Sequence, residues 1–272
     1  MRGWWQELAG LVLPVDCAGC GAVRVLVCGD CSGALSGAEA GLVSPSPRPE
    51  GLPVVQASAP YEGAVRGVLL AHKERGALPL AGVLGAALAA AVLAGGPGPG
   101  WGRGEVALVP VPSARRQVRA RGHDPARRIA LAAAGRLRRS GVPARVAPVL
   151  ALRRAVADQA GLGARQRREN LAGALAVRRD GARLTEGARI VLVDDVVTTG
   201  ATLAEAARAV RAAGLAAVYG GGSGEGAGVS ADGVLRAAVV AAPADSFVRA
   251  AGRTPPRRPG GSRNASGGKP RE

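Results

Sequence analysis

The sequence predicts an α/β fold, a parallel sheet with helices on both faces, preceded by a small four-cysteine module. Three observations carry that expectation. Apolar runs of strand length alternate with helical patterns from Val54 to Ala241, the pattern of a sheet built from strand–helix–strand units. Ile190, Val191, Leu192 and Val193 form an unbroken aliphatic run, as a strand covered on both faces requires. The chain's 4 cysteines, Cys17, Cys20, Cys28 and Cys31, all fall near its start, as two CxxC pairs.

In chain order, Trp4 to Leu13 reads as a short amphipathic helix packing on the cysteine module. Glu7 interrupts its apolar stretch and no small-residue cleavage site precedes Cys17, so it does not read as a signal peptide. Each CxxC can turn two thiolates toward one ion, and four thiolates close a structural zinc site with no open position. Disulfides or a redox CxxC are the alternative, disfavoured by a reducing cytosol and by the lack of a thioredoxin-like pattern around the pairs. Residues 1–34 thus form an N-terminal helix and zinc module, 35–51 a Ser/Gly/Pro-rich linker, 52–247 the main domain, and 248–272 a basic tail of disordered composition.

Within the main domain, Val54 to Ala59 reads as a strand, Tyr61 to Lys73 as a helix with Val65, Val68 and Leu69 inward, and Leu80 to Leu93 as a second helix. Gly95 to Gly104 is a Gly/Pro loop. A strand over Val106–Val111 ends at prolines, and Asp124 before Pro125 is an N-cap opening a helix to about Arg139. A strand at Val146–Leu150 and a long basic irregular stretch precede the Ile190 strand. The helix Ala201–Ala213 follows, with Thr202 three before Glu205 as a capping box and Gly214 to end it. A glycine-rich insertion, Gly220–Gly228, then separates it from a last strand, Ala237–Ala241. Gly222, Gly224 and Ala227 approximate GxGxxA, but no helix opens there, so a Rossmann site is excluded, and no Walker A sequence exists.

Composition narrows the function classes. The 272 residues include 42 Gly, 19 Pro and only 2% aromatics, so the core must be built from small aliphatic contacts. No run of about twenty apolar residues is free of charge or Gly/Pro clusters, and the cytosol is the default location. A net charge of +16 suits phosphate partners. Lys73 and Lys269 are nevertheless the only lysines, and with the Ala/Gly/Pro excess the arginine content reads as GC-rich codon usage. No Ser/His/Asp set is readable, and His123 reads as a neighbour of the Asp124 cap.

Residues 190–203, IVLVDDVVTTGATL, combine a buried strand, two acids, a Thr/Gly loop and a helix start. Asp194 and Asp195 stand at the strand's carboxyl end, where open α/β sheets bind ligands and where carboxylates can accept hydrogen bonds from the vicinal hydroxyls of a ribose. Thr198, Thr199 and Thr202 offer hydroxyls, Gly200 permits close backbone approach, and the opening N–H groups of the helix favour an anion. A sugar phosphate fits that set.

This segment resembles the phosphoribosyl-pyrophosphate (PRPP) signature of type I phosphoribosyltransferases. Cys17-Ala-Gly-Cys20, Cys28-Gly-Asp-Cys31, His72-Lys73-Glu74-Arg75-Gly76, Val109-Pro110-Val111-Pro112, Arg119-Ala-Arg121-Gly122-His123-Asp124, and Asp158-Gln159 through Arg165, Arg168, Asn170 and Leu171 are similar to the ComF family of competence-associated proteins. In that family Asp124 is more often Asn, and no glycine-rich insertion follows Gly214. The resemblance implies a type I phosphoribosyltransferase-like sheet. It places Asp194 and Asp195 as catalytic residues and Val197, Thr198, Thr199, Gly200, Ala201 and Thr202 as the PRPP loop. Lys73 and Arg75 match the pyrophosphate loop, and Arg119, Arg121, Arg165 and Arg168 add guanidinium forks for phosphate oxygens. It also implies Mg2+ with PRPP, DNA uptake with single-stranded DNA, and a competence helicase as partner.

Three functional readings follow. The first is a PRPP-dependent phosphoribosyltransferase of nucleotide metabolism. The second is a competence accessory protein that binds single-stranded DNA, favoured by the arginines from Arg115 to Arg145 and opposed by sparse aromatics. The third is a PRPP sensor without turnover. All three require ligand at the Asp194–Asp195 loop.

Overall fold

Nine residues in extended conformation, Ala188–Val196 (β7), form the centre of the sheet. The computed structural model describes residues 16–96, 104–154, 164–215 and 235–248. The Trp4–Leu13 helix, most of the Gly95–Gly104 loop, Asp158–Leu162, the Gly220–Gly228 insertion and the tail after Val248 lie outside them.

The elements in order are α1 (Gly29–Ala34), β1 (Gly41–Val43), β2 (Val54–Pro60), α2 (Gly63–Glu74), α3 (Ala81–Ala94), β3 (Glu105–Pro110), α4 (Arg115–Arg121), α5 (Pro125–Arg139), β4 (Ala144–Val146), β5 (Leu150–Leu152), α6 (Ala164–Leu171), β6 (Leu175–Val177), α7 (Gly181–Thr185), β7, α8 (Ala201–Ala212) and β8 (Arg236–Ala242). The main sheet runs β1-β2-β8-β7-β3-β4, with only β1 antiparallel. From β3 the chain passes through α5 to β4 on one side, and from β7 through α8 to β8 on the other. The winding therefore reverses between β7 and β3, and right-handed crossovers put α5 and α8 on opposite faces. The ends of β7 and β3 border the crevice that such a reversal opens.

Strand alternation builds two core layers. Val191 and Val193 of β7 join Val106 and Leu108 of β3, Val240 of β8, and the inner faces of α2, α3 and α5. Ile190 and Leu192 join Val109, Val239 and α8 on the other face. Helix α3 is apolar nearly all round because it lies between the sheet and α5. The two helices touch at Gly85, where an added Cβ would stand 2.4 Å from Ala132 Cβ and 2.8 Å from the Ala133 nitrogen. Gly85→Val is expected to lose about 2–4 kcal/mol in denaturant unfolding. Gly82→Ala, on the same helix with nothing within 4 Å, should be neutral or gain up to about 1 kcal/mol.

Four local expectations differ from the structure. Gly41–Val43, in the segment read as a linker, pairs antiparallel with β2, and Val43 bridges to Phe247. Val146–Leu150 is not one strand. β4 ends at Val146, and β5 pairs antiparallel with β6 as a separate hairpin, because Pro148 lies between them and offers no N–H to the ladder. The stretch read as irregular contains β5, α6, β6 and α7. These are short elements held by distant groups, with Arg154 donating to the Asn170 and Ala172 carbonyls at 2.8 and 2.9 Å. Finally, Thr202 is not the N-cap of α8. Gly200 occupies that place with φ +74°, and Glu205, rather than closing a capping box, accepts from the Leu175 N–H at 3.0 Å and from Arg208. It ties the hairpin to α8.

Candidate functional site

The acid pair sits at the carboxyl end of β7, and strand alternation sends its two side chains to opposite faces. Asp195 turns to the face of α2 and is 6% exposed. There Lys73, in the last turn of α2 and 122 residues away in sequence, donates to its Oδ2 at 2.6 Å. Asp195 Oδ1 accepts from the Val196 N–H at 2.9 Å, and Asp194 Oδ1 from the Asp195 N–H at 2.8 Å. Burial opposes the Lys73 ammonium, but the charge and hydrogen bond of Asp195, with Asp194 behind them, outweigh it and raise Lys73 above an ordinary lysine. Burial likewise works against ionised Asp195, and Lys73 reverses it, so that carboxyl lies below the usual range. Asp194 is pushed well above it by burial and then by the charge of Asp195. The two acids thus sit in different electrostatic environments.

The turn that follows is rigid where the backbone must bend. Gly200 adopts a left-handed conformation that a side chain would strain, and a Cβ there would press on Leu52 at 3.0 Å. Thr199 Oγ1 accepts from the Ala201 N–H at 3.4 Å. Val197 and Ala201 are buried, Thr199 and Thr202 half-buried, and Thr198 exposed. The helix amides and hydroxyls together suit a phosphate.

Two segments distant in sequence, the end of α2 and the α4–α5 turn, meet next to Lys73. Arg121, at the end of α4, grips Glu74 through Nε at 3.1 Å and Nη2 at 2.7 Å, and its Nη1 is buried without a hydrogen-bond partner among the described residues. His123 is buried, with its ring nitrogens 3.1 Å from the Arg121 carbonyl and 3.2 Å from the His72 carbonyl. Asp124 caps α5 through Arg127 N–H at 3.2 Å, with Pro125 first in the helix, as its sequence context predicts. Arg75 and Arg119 are exposed. Arg165 and Arg168 lie on α6, but their side chains fall outside the described residues.

Sequence reasoning placed His72 in the His72–Gly76 motif but gave it no role of its own. It is fully buried, its Nδ1 donates to the Ala77 carbonyl at 3.3 Å, and Nε2 has no hydrogen-bond partner among the described residues. Its ring stands edge-on to His123 at 5.4 Å. Burial lowers its pKa below 6.5, so the folded state resists a proton that the unfolded chain accepts. Its contribution to stability is complete above pH 6.5 and is lost as pH falls toward the depressed value. Unfolding free energy should decline on acidification through that window, and His72→Leu should flatten this part of the profile whatever its effect on absolute stability.

At the N-terminal module the four thiols lie within 4.8 Å of one another. Cys20 Sγ and Cys28 Sγ are 3.6 Å apart, far beyond a disulfide bond of about 2.05 Å and close to the sulfur spacing of a tetrahedral tetrathiolate, roughly 3.8 Å for Zn–S of 2.3 Å. All four cysteines are free. The Cys28 N–H donates to Cys17 Sγ at 3.3 Å and is the main reason that this thiol is lowered to about 6, whereas burial raises Cys31. The cluster can hold one metal ion as a closed structural site. At the other site the acid pair supplies hard oxygen donors of the kind magnesium takes, the remainder of its ligands then coming from phosphates and hydroxyls.

A family model for the phosphoribosyl transferase domain matches residues 140–220, which span β4 to α8 and include the entire acidic loop. Over those residues the chain is similar to that domain, and its sheet and helices form a phosphoribosyltransferase-like α/β fold. Among curated proteins no match is found. No described helix is long and apolar enough to cross a membrane.

Proposed function

We propose that the chain binds PRPP with magnesium and transfers its phosphoribosyl group to an acceptor in nucleotide metabolism, as a member of the ComF family working in the cytosol. The observation that supports this most strongly is the Lys73–Asp195 pair. It places a fixed cation from the KERG turn next to the acid pair and beside a helix-capped Thr/Gly loop. Such a site stabilises both charges that develop as the bond from the anomeric carbon to pyrophosphate breaks. Asp194 lies toward the ribose hydroxyls and Asp195 holds Lys73 in place, while Lys73, the Nη1 of Arg121 and the loop amides face the departing anion. Val197, Thr198, Thr199, Gly200, Ala201 and Thr202 then hold the 5-phosphate. Arg75, Arg119, Arg165 and Arg168 supply the outer positive field. The four cysteines hold structural zinc.

Single-stranded DNA binding, with a competence helicase as partner, draws less support. Several arginines between Arg115 and Arg145 are already committed within the fold. Arg121 holds Glu74, Arg138 donates to the Ala144 carbonyl at 2.7 Å, and Arg145 holds Glu105. The deciding experiment is calorimetry with PRPP and magnesium, followed by incubation with a panel of bases and amines while pyrophosphate release is measured. Micromolar binding and acceptor-dependent release are expected. Absence of PRPP binding defeats the reading, and binding without release under every acceptor makes the protein a sensor.

A further inference from the structure

A cavity of about 280 Å³ is bounded by the loop after β3, α4, the Asp124 cap and the β5–β6 hairpin. Its place follows from strand register. Pro110 of β3 lies opposite Val193 of β7, and the Val111 N–H donates to the Val193 carbonyl at 2.9 Å. The cavity begins at the next residue, Pro112, so it adjoins Asp194 along the carboxyl edge of the sheet.

Its lining is selective. Pro112, Val118, Leu150 and Leu152 form apolar walls, and Arg119 and Arg178 are the cations. Unlike Arg121, Arg138, Arg145 and Arg208, these two guanidinium groups make no hydrogen bond or ion pair among the described residues. The one acid, Asp124, already accepts from the Arg127 N–H. No aromatic residue contributes, so a flat base finds no stacking platform. Two uncommitted planar forks over an aliphatic floor match a carboxylate on a small apolar body. Arg178 is held at the rim because its own N–H donates to the Val149 carbonyl at 2.8 Å, which fixes the start of its side chain next to β5.

We propose that this cavity is the acceptor subsite and that the acceptor is a small carboxylate-bearing molecule, an assignment that rests on the PRPP reading of the adjoining loop. Arg178 is its specificity-determining residue, and Arg119 is the second cation of its lining.

The test uses the full chain and two probes of equal shape, cyclohexanecarboxylate and its neutral carboxamide, with binding followed by NMR saturation transfer and titration. The carboxylate should bind at least fivefold more tightly than the carboxamide, both with and without saturating PRPP and magnesium. Arg178→Gln should remove that preference and Arg178→Lys should restore part of it, while PRPP affinity measured by calorimetry stays within twofold of the parent. Equal binding of the two probes, or a preference that survives Arg178→Gln, overturns the carboxylate site. Competition between the carboxylate and PRPP overturns the acceptor assignment. A protein that binds no PRPP but retains an Arg178-dependent carboxylate preference removes the PRPP reading and, with it, the acceptor role.

Discussion

Lys73→Met and Asp195→Asn are each expected to weaken magnesium–PRPP binding by roughly ten- to a hundredfold, the loss that accompanies one or two charged hydrogen bonds at about 1.5–3 kcal/mol each. The reasons differ. Lys73→Met removes the cation for the pyrophosphate oxygens and leaves Asp195 buried with one oxygen unpaired. Asp195→Asn removes the charge that draws the ammonium into place at 2.6 Å. The two groups act through one contact, so the double variant should lose much less than the sum of the single losses. Folding should survive. The lysine side chain is 36% exposed and the carboxylate 9%, so the half-open pair itself contributes about 1 kcal/mol, and Lys73→Met costs about 1–3 kcal/mol more for the buried oxygen it leaves unpaired. Calorimetry on the three variants decides the matter, and full additivity would show that the lysine and the acid contact ligand independently.

Gly67→Leu should detach the cysteine module from the domain. A Cβ at this position of α2 would stand 2.6 Å from the Ala18 carbonyl oxygen and 3.2 Å from Gly19 Cα, both backbone atoms within the first CxxC. Helix α2 cannot retreat, since Val65, Val68 and Leu69 are packed into the core on its other side. A clash of this kind costs about 3 kcal/mol, which for a chain of this size lowers the melting temperature by roughly 6–12 °C. Zinc content should persist at one equivalent, because its ligands all lie between Cys17 and Cys31. PRPP affinity should fall, because the same helix delivers Lys73. Arg66→Leu, an exposed neighbour on α2, is the control. Equal melting temperatures for the two variants would show that the module does not rest on Gly67.

Much of this molecule was readable where meaning is local. The run Ile190–Val193 announced a strand covered on both sides because both of its faces had to be apolar. Cys17, Cys20, Cys28 and Cys31 announced a four-thiol cluster because each CxxC closes its own turn. Asp124-Pro125 announced a helix start because cap and proline act within one turn. Reading failed where an element is stabilised from afar. Thr202 and Glu205 have the spacing of a capping box, yet the buried Leu175 N–H competes for the glutamate and wins, and the short strands β5 and β6 carry no periodicity that a sequence could display.

By itself the sequence determined the acid pair at the end of a buried strand, the Thr/Gly loop before a helix and the clustered thiols, since each depends on neighbours within a few residues. Only the tertiary structure decided that Asp194 and Asp195 face different partners, that Lys73 reaches across 122 residues to one of them, that Glu74 holds Arg121, and that two arginines are left uncommitted around a cavity at the sheet's edge. The physical reason is that charge partners are assigned by which helices pack on which face of the sheet, and that choice is made by the core as a whole.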